Sequence, residues 1–183
     1  ASPSGKSMLD ALETSPAQAK IKAFETLAAM DLTRDVHAIT LCGAGGPEAG
    51  GVACLYGNWN TNKLTPLCVV NHNYAAQTRG AHTVMSWDDN KPGRAPRRQY
   101  VCFVSTNLAL ISDRREQFNR MLDVLDGRAP RLADAALLAR LSQPAGRPFF
   151  WLSAVDVNQL VANNQQAGVL QQMRSLTIRA FTN

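Results

Sequence analysis

The connections between candidate strands constrain this chain more than any other feature. Residues 36–59 and 81–111 each read as strand followed by strand, with no helical pattern between them. In the first stretch, Val36 to Cys42 and Val52 to Trp59 flank a run from Gly43 to Gly51 that holds five glycines and a proline. In the second, Ala81 to Trp87 is followed by a polar loop, Asp88 to Arg98. Tyr100 to Ser105 and Leu108 to Ile111 then form two strands or one bent strand. Parallel neighbours need a crossover of a dozen or more residues, usually a helix. These neighbours are therefore expected to pair antiparallel. The fold class is α+β: one largely antiparallel sheet with helices packed on it.

The helices are placed by capping residues and by apolar spacing. Ser15-Pro16-Ala17-Gln18 reads as a capping box, followed by Ile21, Phe24 and Leu27 on one face of a helix over about 16–30. Asp31 to Asp35 then reads as its end. Asn60-Thr61 caps a second helix, about 61–75, with Pro66 near its start. Asp113-Arg114-Arg115-Glu116 opens a third, about 113–126. Phe118, Met121, Leu122 and Leu125 make its apolar stripe, and Gly127 sits where a left-handed residue closes a helix. Leu132 to Leu141 is expected to be a short helix and Asp156 to about Met173 a longer one. Pro148 to Leu152 and Leu176 to Phe181 are expected strands.

Several strands are apolar on both sides. Tyr100, Cys102 and Val104 alternate with Val101 and Phe103, and Val52, Cys54 and Tyr56 with Ala53 and Leu55. A sheet with one wet face alternates apolar with polar, so both faces are expected to be covered, by helices or by a second subunit. A homodimer follows as an expectation. No linker or low-complexity tract divides the 183 residues, so residues 15–183 are expected to form a single domain behind a flexible leader, residues 1–14. That leader, opening Ala1-Ser2-Pro3-Ser4-Gly5-Lys6, fits a terminus left after removal of an export signal, and equally a frayed end. No apolar run is long enough to span a bilayer.

The chemistry-bearing residues form no familiar site. Gly43-Ala44-Gly45 begins like a dinucleotide-binding turn, but Glu48 stands where the third glycine belongs and a strand follows in place of a helix. A connection between antiparallel strands is the expectation there, and no cofactor is expected. The four cysteines, Cys42, Cys54, Cys68 and Cys102, contain no Cys-x-x-Cys pair. At least three are expected to be buried. In an oxidising compartment they allow three full disulfide pairings, among which sequence does not choose. Cys68 and His72 have ligand-compatible spacing on a helix, but two further ligands would have to come from elsewhere, and no metal site is expected. His37, His72 and His82 lie in no nucleophile motif. Asp88-Asp89 reads as a pair of solvated turn formers.

The net charge of +5 is concentrated around Lys91 to Arg98 and at Arg128 and Arg131. Nucleic-acid readers place basic residues on one face with aromatics between them. The Lys91–Arg98 run has no aromatic residue before Tyr100, so nucleic acid is not an expected partner. Lys91, Arg94, Arg97 and Arg98 are instead candidates for gripping an anionic envelope component or an unknown protein from a loop between strands.

Three segments together resemble a class of uncharacterised exported bacterial proteins. They are Asp31 to Leu41 with Val52 to Asn58 and the Trp59-Asn60 turn, Leu110-Ile111-Ser112 through Leu122-Asp123-Val124-Leu125-Asp126-Gly127, and Ala154-Val155-Asp156 after an apolar strand. The resemblance implies an exported α+β domain, periplasmic or at the cell surface, with no assigned activity and no catalytic residue to carry over. The expected function is a non-enzymatic partner-binding or structural role in the cell envelope. The alternative is a hydrolase-like enzyme whose site is assembled from residues distant in sequence, in a cleft lined by the histidines or the cysteines.

Overall fold

The computed structural model describes residues 18–43, 50–90, 95–130, 150–155 and 175–180. The chain divides into two compact units, Pro16–Ala129 and a second that joins Ala1–Ser15 to Pro130–Asn183. In the first unit the order is α1 (Gln18–Ala28), α2 (Leu32–Asp35), β1 (Val36–Gly43), β2 (Gly51–Gly57), α3 (Thr61–Val69), β3 (Ala75–Arg79), β4 (His82–Asp89), β5 (Arg97–Ser105), β6 (Leu108–Ser112) and α4 (Arg115–Leu125). The described part of the second unit is β7 (Phe150–Val155) paired antiparallel with β8 (Ser175–Ala180).

The six strands of the first unit form one antiparallel sheet in the order β1-β2-β6-β5-β4-β3. The α+β, antiparallel expectation holds. The expectation of a single sheet does not, because β7 and β8 make their own two-stranded sheet. Tyr100 to Ser105 and Leu108 to Ile111 prove to be two strands of a hairpin turned at Thr106-Asn107.

Both faces of the central strands are covered by helices of the same chain. α4 lies against β2 and β6, where Phe118 and Leu122 meet Val52, Cys54, Cys102 and Leu110 in a core with Tyr100 and Val104 at its margin. The Tyr100 and Phe118 rings stand 6.0 Å apart, tilted. On the opposite face, Leu64 of α3 and Ala28 of α1 pack with Met30, Trp59 and Ala109, while Cys68 packs with Met85 and Val101. The two alternating sets of β5, with Val52 and Cys54 against Leu55 in β2, thus point to two separate cores, while Tyr56 is exposed and Ala53 packs in neither. Each core removes several large apolar side chains from water, worth roughly 1.5–3 kcal/mol per fully buried residue.

Local chemistry sets the corners. The Asp31 carboxylate accepts from the backbone N–H of Thr33 and Arg34, which turns the expected end of the first helix into the one-turn α2. Asn60 caps α3 through Lys63 N–H as its position suggests. The helix stops at Val69, short of the expected 75, because Asn71 Nδ2 donates to the carbonyls of Leu67 and Cys68 and closes the last turn. α4 begins differently from its expected capping box: Arg114 occupies the cap, Ser112 Oγ accepts from its N–H, and Asp113 turns to Arg97 instead. Gly127 closes α4 with φ +74. Ser15, Pro16, the loop over 44–49, and the expected helices at 132–141 and 156–173 lie outside the described residues.

Candidate functional site

Strand alternation decides where the basic run goes. The expected loop ends before Arg97: β5 starts there, with Arg97 opposite Asp89 and Arg98 opposite Asp88 in β4. Neighbouring residues of a strand point to opposite faces. The two arginines therefore serve different surfaces, and Asp88 and Asp89 are strand residues facing arginines in place of solvated turn formers. Lys91 and Arg94 lie outside the described residues.

Arg98 is half-buried and tied to its neighbours. Its Nη1 donates to Asn73 O at 2.7 Å and Asp88 Oδ1 at 3.0 Å, and its Nη2 to Ser86 Oγ at 2.9 Å. Asn73 Nδ2 also donates to Asp88 Oδ2 at 2.6 Å. These bonds, Asn73 first and then Arg98, hold the Asp88 carboxyl below the usual carboxylate range. Arg97 is exposed, with Nη1 donating to Asp113 Oδ2 at 3.1 Å.

Arg97 and Asp113 stand at the rim of a cleft of about 440 Å³ on the helix α3 face of the sheet. Leu41, Ala53 and Ile111, aligned in register across β1, β2 and β6, make its apolar floor. Asp89, Gln99 and Ser112 add polar groups. The cleft thus joins residues of five strands, β1, β2, β4, β5 and β6. Ser112 is its one hydroxyl among the described lining residues, and it is already engaged. Its Oγ donates to Gly51 O at 2.7 Å and accepts from Arg114 N–H at 3.0 Å.

The histidines and cysteines lie elsewhere. His37 is exposed on β1. His72 follows α3 in a turn, 3.9 Å from Asp88, so it does not share a helix face with Cys68, which is buried within α3. His82 Nε2 lies 2.7 Å from Asp126 Oδ1. Asp126 also meets Arg128, while Asp123 takes Arg79 and Arg128. This network ties the C-terminal end of α4 to the β3–β4 hairpin. It holds both carboxyls below their usual range, through His82 chiefly at Asp126 and Arg79 chiefly at Asp123. All four cysteines are free thiols, with Cys54, Cys68 and Cys102 buried and Cys42 half-buried. Burial pushes the Cys54 and Cys102 thiols to about 11, which makes them poor nucleophiles. No group of three metal-ligating side chains is gathered among the described residues. Nor is any described helix long and apolar enough to cross a membrane.

The fold and cleft define an antiparallel α+β sheet domain with a concave, mixed-polarity surface at one end of the sheet. No protein-family model matches the sequence, and no curated protein or solved structure is detectably similar to it.

Proposed function

We propose that this chain is a non-enzymatic, exported domain that binds a partner in the cell envelope, periplasmic or at the cell surface, and does so as a homodimer. The observation that carries the binding role is the cleft, where an apolar floor of Leu41, Ala53 and Ile111 meets charged groups of both signs, Arg97, Asp113 and Asp89. Concave apolar surfaces with a few convergent polar groups are what binding sites are made of. Binding is favoured over hydrolysis because Ser112 is locked between Gly51 and Arg114, and the described lining includes neither histidine nor cysteine. Export is supported by the resemblance of the Asp31–Asn58 and Leu110–Gly127 segments to exported bacterial chains. The anionic character of the partner is supported by Arg97 at the rim and by Lys91 and Arg94 just before it in sequence.

Retention on immobilised heparin and on vesicles containing phosphatidylglycerol tests this. The triple variant Lys91→Ser, Arg94→Ser, Arg97→Ser is expected to elute at lower salt than wild type with an unchanged Tm, since exposed ion pairs contribute under about 1 kcal/mol each. Arg98→Ser is expected to behave in the opposite way, keeping retention and losing stability, because it breaks two hydrogen bonds across the β4–β5 pair and one to Asn73 in the turn before β3. Unchanged retention of the triple variant would rule out an anionic partner at this surface.

A further inference from the structure

We propose that β1 is a docking edge whose occupant is a second copy of this chain, paired antiparallel, β1 to β1. The inference rests on the homodimer proposed above and assigns its surface. β1 is one end of the six-stranded sheet and has β2 as its only strand partner among the described residues. An edge strand presents unpaired N–H and C=O groups, and proteins blunt such edges with short length, charge, proline or a cover.

The two ends of this sheet are built differently. β3, at the far end, has five residues, Ala75-Ala76-Gln77-Thr78-Arg79, and its Arg79 is fixed to Asp123 of α4. β1 has eight, Val36-His37-Ala38-Ile39-Thr40-Leu41-Cys42-Gly43, with no Lys, Arg, Asp, Glu or Pro. Ile39 is 61% exposed and Leu41 79%. Their partners in β2, Leu55 and Ala53, are only partly exposed. The apolar face thus runs on past its cover to the end of the sheet.

Self-pairing is favoured by the order of residues along the strand. In a two-fold interface the same segment lies opposite its own reverse. The ladder to β2 is irregular between Val36 and Ala38 and regular from Ala38 onward. A two-fold axis at Thr40 makes Ala38–Cys42 symmetric. It sets Ile39 of each copy opposite Leu41 of the other, and Ala38 opposite Cys42. Apolar cross-strand pairs of this kind stabilise a sheet, and no like charges meet. A charged peptide would find no complementary charge on this strand.

Light scattering coupled to gel filtration at micromolar concentration, on the full chain, provides the test. Wild type is expected at twice the protomer mass. Ile39→Lys/Leu41→Lys, which places like charges opposite each other at two already exposed positions, is expected to halve that mass with an unchanged circular dichroism spectrum. A monomeric wild type would overturn both the dimer and its surface. A wild-type dimer that survives in a folded Ile39→Lys/Leu41→Lys variant would overturn the β1 surface and leave the dimer standing. Because Leu41 also floors the cleft, the anionic partner is read from heparin retention of the Lys91→Ser, Arg94→Ser, Arg97→Ser variant and not from this one.

Discussion

Phe118→Ala is expected to lower the unfolding free energy by about 3–5 kcal/mol, the range for truncating a buried aromatic residue in a packed core. Phe118 is fully buried and sits where α4 meets β2 and β6, with Leu122, Leu110 and Cys102 around it and the Tyr100 ring beside it. Truncation leaves a void bounded by the sheet on one side and the helix on the other. Strand residues held in register across β2, β6 and β5 cannot collapse into it without breaking the ladder. α4 is also anchored at its C-terminal end by the Asp123 and Asp126 ion pairs, so it cannot shift freely to fill the gap. Urea denaturation followed by circular dichroism measures the loss. A change below 1 kcal/mol would mean that α4 does not cover this face of the sheet.

Gly57→Ala is expected to cost about 1–3 kcal/mol, at the upper end of that range for overpacking. Gly57 ends β2 beneath the α2–β1 corner, and a Cβ there would collide with the carbonyl oxygen of Asp35. The obstacle is backbone, and it is fixed in place: Asp35 O accepts from Asn58 N–H, while Asp35 N–H donates to Asp31 O. Trp59 Cζ2, at 3.2 Å, closes off the other direction. Relief requires either β1 to part from β2 at the Val36–Gly57 pair or the corner to lift. The measurable consequence is a lower urea midpoint together with faster amide exchange in Val36–Ala38. A midpoint equal to that of wild type would contradict this close packing.

Much of the architecture is visible in the sequence because burial imposes period and spacing. The two alternating sets in Tyr100–Val104 foretell two cores, and the glycine at 127 foretells the end of α4. What escapes is whatever depends on partners distant along the chain. β3 is missed because Ala75–Arg79 is a polar edge strand: with both sides exposed it shows no apolar alternation, although Gly80, at φ +59 between Arg79 and His82, marks its tight turn. Asp113 reads locally as a helix cap, yet Arg97, sixteen residues earlier, captures its carboxylate. Arg98 reads as one more loop cation, but Asp88, Ser86 and Asn73 make it structural. The cleft has no linear signature, since its floor is assembled from β1, β2 and β6. The covered second face, which sequence alone leaves to a helix or to another subunit, is closed by α1 and α3 over the central strands and, among the described residues, is open beside β1 and at the cleft.

The binding role is tested most directly by amide hydrogen exchange of the full chain with and without a heparin-derived oligosaccharide as the polyanionic probe. Exchange is expected to slow at the cleft rim, in Gly51–Ala53, Arg97–Gln99 and Ile111–Asp113, while Ala75–Arg79 at the far end of the sheet stays unchanged. The same protection should vanish in the Lys91→Ser, Arg94→Ser, Arg97→Ser variant. Protection absent from the rim, or spread evenly over both ends of the sheet, would contradict the account.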